Sequence, residues 1–240
     1  MRRIKLQLAY DGSSFHGWQV QPGLPTIQGV IEKVVSEIEG APVDVAASGR
    51  TDAGVHAIGQ VAAFSIGNPI PAANLRRAMN RLLPPAVRVV SAEEVAADFH
   101  PRFDAKAKTY EYRIVREEVC SPFEWPFVHH YPYPLEEERM EHLARVLEGE
   151  HDFTVFAAAD ESDAEGRSKV RTVFSSSVER GGGRLVYRVR GSGFLKHMVR
   201  NIVGTLIEAG RGNLEELSAL PAKSGPTAPA KGLFLIGVEY

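Results

Sequence analysis

Two kinds of hydrophobic spacing alternate along this chain, and their order restricts the folds open to it. Ile4, Leu6, Leu8 and Tyr10 recur every second residue, the period of a half-buried strand. Ile27, Val30, Ile31, Val34, Val35 and Ile38 follow at i, i+3, i+4 and i+7, behind Thr26, a residue type that caps helix N-termini. Strands are expected near 43–48 and 60–66. A second helix is expected over 71–83, opening on Pro71 and stopping at Pro84 and Pro85, before a strand at 87–90. This is β-α-β-β-α-β, the ferredoxin-like order. It recurs as a strand at 110–116, a helix at 135–147, hairpin strands at 170–179 and 184–190 across three glycines, a helix at 194–209 and a strand at 233–240. The expected class is α+β, with two ferredoxin-like units at 1–105 and 106–240. If their sheets join edge to edge, they form one mainly antiparallel sheet with a central cleft.

Between the second and third of these strands stands the densest chemistry in the chain: Ser48, Gly49, Arg50, Thr51, Asp52, Ala53, Gly54, Val55 and His56. Glycines on both sides of a carboxylate favour a tight loop that presents it. Arg50 favours its ionised form. An ionised loop carboxylate can accept a proton, bind a metal or attack an electrophilic carbon. No His, Cys or second carboxylate stands at metal-ligand spacing, so no metal site is expected, and base and nucleophile both remain open. Asp and Gly also populate turns for conformational reasons alone, which is the competing structural explanation.

Charge separates strongly along the sequence although the net charge is only −2. Between residues 167 and 200 nine Lys or Arg face a single acid, Glu179, whereas residues 136–165 hold eleven acids against Arg139 and Arg145. The expectation is one basic and one acidic face, the basic one serving as a phosphate track through Arg184, Arg188, Lys196 and Arg200. On a helix over 194–209, Lys196 and Arg200 would share a face outside the apolar stripe. A solvated strand surface is the plain alternative. Residues 117–134, with Trp125, His129 and His130, read as a long loop of functional or interface type. Cys120 is the only cysteine, and the basic start Met1–Arg3 leads into a strand pattern with no apolar segment behind it. No membrane span is expected, and a reducing cytoplasm is the simplest location.

The string GRTDAGVHA at 49–57 resembles the motif of the TruA family of tRNA pseudouridine synthases. The resemblance extends through Tyr10, Asp11, Gly12, Phe15, Gly17, Trp18 and Gln19 near the start, and through Phe99, His100, Arg102 and Phe103. It continues at Tyr110, at 193–204 around Lys196, His197, Met198, Val199, Arg200 and Asn201, and at Ala228, Pro229, Gly232, Leu233 and Leu235. Departures are Val20, where a basic residue is common, Asp104, where a small residue is usual, and Ala230, where proline is frequent.

That resemblance implies an isomerase that turns uridine into pseudouridine at positions 38, 39 and 40 of the tRNA anticodon stem-loop, acts as a homodimer and needs no cofactor. It implies Asp52 as nucleophile, Tyr110 against the target base, Leu233 packing on the uracil, and Arg50 filling the space left by a flipped base, with His56 beside them. The first unit would carry the catalytic loop and the second the basic hairpin and helix. Two rivals are a noncatalytic tRNA-binding module, which gives no reason for Asp52, and an aspartate-dependent glycosidase, which requires a second carboxylate facing the first.

Overall fold

The alternation at the N-terminus becomes β1 (Arg2–Tyr10), which buries Ile4, Leu6 and Leu8 completely while Gln7 faces solvent. The computed structural model describes residues 1–159, 166–181 and 183–240. Asp160, Glu161, Asp163 and Glu165 of the acidic stretch and Gly182 of the hairpin turn lie outside the described residues. The chain divides into two compact units, Met1–Lys106 with Phe234–Tyr240, and Ala107–Leu233.

In the first unit β1 is followed by α1 (Ile27–Glu39), β2 (Ala46–Ala47), β3 (His56–Ile66), α2 (Ala72–Leu82) and β4 (Val87–Val95). β1 lies between β4 and β3 and is antiparallel to both, and β2 pairs antiparallel with β3 at Ala46↔Ala63. The order 4-1-3-2 is that of a ferredoxin-like sheet. Thr26 caps α1 as expected, its side chain accepting from the Gly29 N–H at 3.3 Å. The strand expected at 43–48 shrinks to two residues because α1 claims its donors: Val43 N–H donates to Ser36 Oγ at 2.9 Å and Val45 N–H to Glu32 Oε1 at 3.1 Å. β3 starts four residues earlier than expected, being buried almost throughout, so alternation does not mark its beginning. β4 runs on to Val95 as a partly exposed strand, with Glu93 3.0 Å from Lys5 of β1.

The second unit contains β5 (Ala107–Val115), a 3-10 turn at Trp125–Phe127, β6 (His129–His130), α3 (Glu137–Val146), β7 (Gly149–Asp152), β8 (Val170–Gly181), β9 (Arg184–Gly191) and α4 (Met198–Gly210). Its sheet runs β5-β9-β8-β7 in antiparallel pairs, and β6 joins β5 in parallel. The residues 117–134 are therefore not a bare loop. Register sorts the two faces. Tyr110↔Val189, Tyr112↔Tyr187 and Ile114↔Leu185 point to the buried side, whereas Glu111↔Arg188 and the alternating Arg113, Arg184 and Arg190 point to the other.

The closing strand β10 (Leu233–Glu239) was expected in the second unit, but from Phe234 onward it groups with the first. It lies parallel to β3 with Phe234↔His56 and Leu235↔Ala57. Gly59 permits this approach: a Cβ there would sit 2.3 Å from the Ile236 carbonyl oxygen. No described helix is long and apolar enough to cross a membrane.

Candidate active site

Asp52 sits on the connection from β2 to β3, and the backbone leading to it is held residue by residue. Ser48 N–H donates to Val61 O at 2.8 Å, and Thr51 O accepts from Trp18 N–H at 2.9 Å. The turn closes with Val55 N–H donating to Asp52 O at 3.1 Å, and Gly54 adopts φ 78°, a left-handed conformation that favours glycine. Gly12 lies so close that a Cβ there would stand 2.0 Å from Val55 O. The result is a half-buried Asp52 beside an exposed Arg50, the pair that the sequence picked out.

His56, expected to touch substrate, is instead buried at 1% exposure. Its Nδ1 accepts from the Gly12 N–H at 3.1 Å, Asp11 Oδ1 lies 3.2 Å from the same nitrogen, and the ring stacks on Phe234 at 4.7 Å. It ties the β1 turn to the start of β3.

Beneath the loop is a polar group that sequence reading missed. Gln60 Oε1 accepts from Ser48 Oγ at 2.7 Å, and Gln60 Nε2 donates to Gly49 O at 2.9 Å and to Tyr10 Oη at 3.4 Å. Tyr10 Oη is 2.8 Å from Thr51 Oγ1. Burial pushes the Tyr10 phenol up to about 12, against the pull of its bonds to Thr51 and Gln60, so it stays neutral. A lone amide side chain within a mostly apolar strand was the available signal.

In the second unit Tyr110 is buried on the inner face of its sheet, edge-on to Phe194 at 5.1 Å. Leu233 is buried at the start of β10. Arg188 belongs to the opposite face, where its Nη2 donates to Glu111 Oε2 at 2.7 Å, and Arg113 Nε donates to Glu111 Oε1 at 2.8 Å. Burial opposes the Glu111 charge, but these two guanidinium bonds outweigh it and hold the carboxyl below its ordinary range. The register thus places Tyr110 and Arg188, grouped by sequence, on opposite sides of one sheet.

Among the described residues, three of the nine cations of 167–200, Arg180, Arg184 and Arg188, meet carboxylates of the same unit. Arg184 pairs with Glu124, and Arg180 pairs with Glu137 of the acidic helix. Glu137 also receives Arg116 at 2.6 Å. The helix expected from 194 starts only at Met198, because His197 takes a left-handed φ of 61°. Lys196 therefore stands outside α4 and donates to Ala159 O at 3.2 Å, while Arg200, on the helix, donates to Ala228 O at 2.8 Å. The two do not form the shared helical face expected of them.

A carboxylate presented by a pinned glycine-bounded loop on a ferredoxin-like sheet is the framework of an enzyme, and comparison with known proteins specifies which kind. The family model described as tRNA pseudouridine synthase matches residues 8–104 and 143–240. The tRNA pseudouridine synthase A of Solibacter usitatus (strain Ellin6076) is 74% identical over the full length of both chains. That of Brevibacillus brevis is 44% identical over the full length of both, and that of Myxococcus xanthus is 44% identical over all of this chain and 92% of its own. The chain belongs to the tRNA pseudouridine synthase family, a family of isomerases.

Proposed function

We propose that this chain converts uridine to pseudouridine at positions 38, 39 and 40 of the tRNA anticodon stem-loop, in the cytoplasm and as a homodimer, with Asp52 as nucleophile. The observation that carries the reading is the loop itself: a half-buried aspartate, within the GRTDAGVHA string, on a backbone fixed on both sides.

The reaction breaks the bond from N1 to C1′, turns the uracil and joins C5 to C1′, while C5 loses its proton and N1 gains one. The Asp52 carboxylate can attack C1′ of the ribose or C6 of the base, forming a covalent intermediate by either route. A stacked, paired uridine hides these atoms, so the nucleotide must leave the stack. Arg50, exposed beside Asp52, would fill the vacated space. Tyr110 and Leu233 supply the apolar contact to the extruded base, and neighbouring positions are served through tRNA shape and phosphate contacts rather than base-edge readout.

Asp52→Asn is nearly isosteric. It is expected to retain fold and tRNA affinity while turnover falls at least ~10³-fold. Tritium release from C5-labelled uridine in tRNA, beside a binding assay on the same preparation, measures both. Release that survives the substitution removes Asp52 from the chemistry. Binding without release by the wild type would favour the noncatalytic module.

A further inference from the structure

We infer that Gln60 and Tyr10 are positioning residues that set the attack geometry of Asp52 without touching substrate, an inference that rests on the nucleophile reading above. The loop backbone just before Asp52 is held by one buried amide. Gln60 is fully buried and uses both ends: Oε1 accepts from Ser48 Oγ and from Val61 N–H (3.1 Å), and Nε2 donates to Gly49 O and Tyr10 Oη. Tyr10, 4% exposed, passes the connection on to Thr51 Oγ1. Positions 48, 49 and 51 are thereby tied to one side chain of β3.

Two further observations give this arrangement its direction. The β1–β3 register slips by one residue between Leu8↔Gln60 and Tyr10↔Ala57, so that Ile58 and Gly59 of β3 face Ala9 alone, a bulge of the kind found next to active sites. Just beyond it the Tyr10 hydroxyl meets the loop at Thr51 Oγ1. On the far side Trp18 N–H holds Thr51 O, so Thr51 is gripped through both its hydroxyl and its carbonyl. A buried polar network with every partner supplied is rigid, and a loop so held spends little time away from the productive geometry. Displacing a reacting group by about 1 Å costs on the order of 10²-fold in rate.

The test separates chemistry from binding. Tyr10→Phe and Gln60→Glu are compared with the wild type for single-turnover rate, tRNA dissociation constant and thermal unfolding. The rate is expected to fall about 10- to 100-fold in each while the dissociation constant stays within about twofold. Tyr10→Phe combined with Thr51→Val is expected to cost little more than either alone, because they share one hydrogen bond. The rate of Gln60→Glu relative to the wild type should rise as pH falls, since a protonated carboxyl restores one donor toward Gly49 O. A purely structural role would show the rate recovering only in step with thermal stability and tRNA affinity, whereas a positioning role recovers the rate while both of those stay unchanged. Tyr10→Phe removes one oxygen from a buried ring and keeps the test decisive should Gln60→Glu fail to fold. Unchanged rates, or losses matched by equal losses of tRNA affinity, overturn the inference. Full turnover by Asp52→Asn would overturn it together with the nucleophile reading, whereas an inactive Asp52→Asn beside an unimpaired Tyr10→Phe overturns the positioning role alone.

Discussion

At the scale of single residues, side chains that look alike in sequence have been given different work by burial. His56 and His129 are both removed from much of the solvent, yet His56 accepts a backbone N–H, whereas burial, with Lys231 and His130 adding like charge, pushes His129 down to about 4. The unfolded chain takes up a proton at this site near pH 6.5 and the folded chain does so only near 4. Between those values the unfolded state binds more protons, so stability drops as pH falls, by at most about 1.4 kcal/mol per pH unit from this group. His129→Gln should remove that component. In urea unfolding at pH 6.5, 5.5 and 4.5, the variant is expected to gain on the wild type toward the acidic end. Parallel stability curves would exclude His129 as the source.

Among the elements, the hairpin of β8 and β9 best shows how neighbours rewrite a local reading. Nine cations along residues 167–200 read as a track for phosphates, but Arg180, Arg184 and Arg188 each meet a carboxylate from another part of the second unit. Glu111 is the most buried of those acids and holds Arg113 and Arg188 together on the outer face of the sheet. If Arg184 and Arg188 hold RNA phosphates, they do so from that face, about a sheet's thickness from Tyr110. Replacing both by Ala should weaken every tRNA similarly and flatten the dependence of log affinity on log salt by about one unit for each phosphate no longer held. An unchanged slope would leave the two arginines as partners of Glu124 and Glu111 only.

For the whole molecule, the proposed homodimer offers a remedy for a surface with little surplus positive charge. Through Ala105 the chain holds ten basic and ten acidic residues, a poor phosphate attractor by itself. Two copies sharing one tRNA would bring the cations of both chains to its phosphates. Light scattering at micromolar concentration is expected to return twice the 26.3 kDa chain mass. A monomer under those conditions would defeat the dimer.

Local periodicity and one string of residues determined a great deal on their own. Apart from the short β6 and β7, which no spacing announced, the strand and helix order, the Thr26 cap, the α+β class and the loop that carries Asp52 follow from neighbours within a few positions, where spacing and side-chain type act directly. What only tertiary structure decided depends on residues distant in sequence. Glu32 and Ser36 of α1 take the donors that a longer β2 would need, and a left-handed His197 delays α4. Phe234 of β10 pairs with His56 across the chain because Gly59 leaves room. The partners of the arginines, and the Gln60 amide under the Asp52 loop, belong to the same class. Hydrogen bonds and ion pairs form between atoms brought within about 3 Å by folding, and no pattern along a single strand or helix encodes which distant atom arrives.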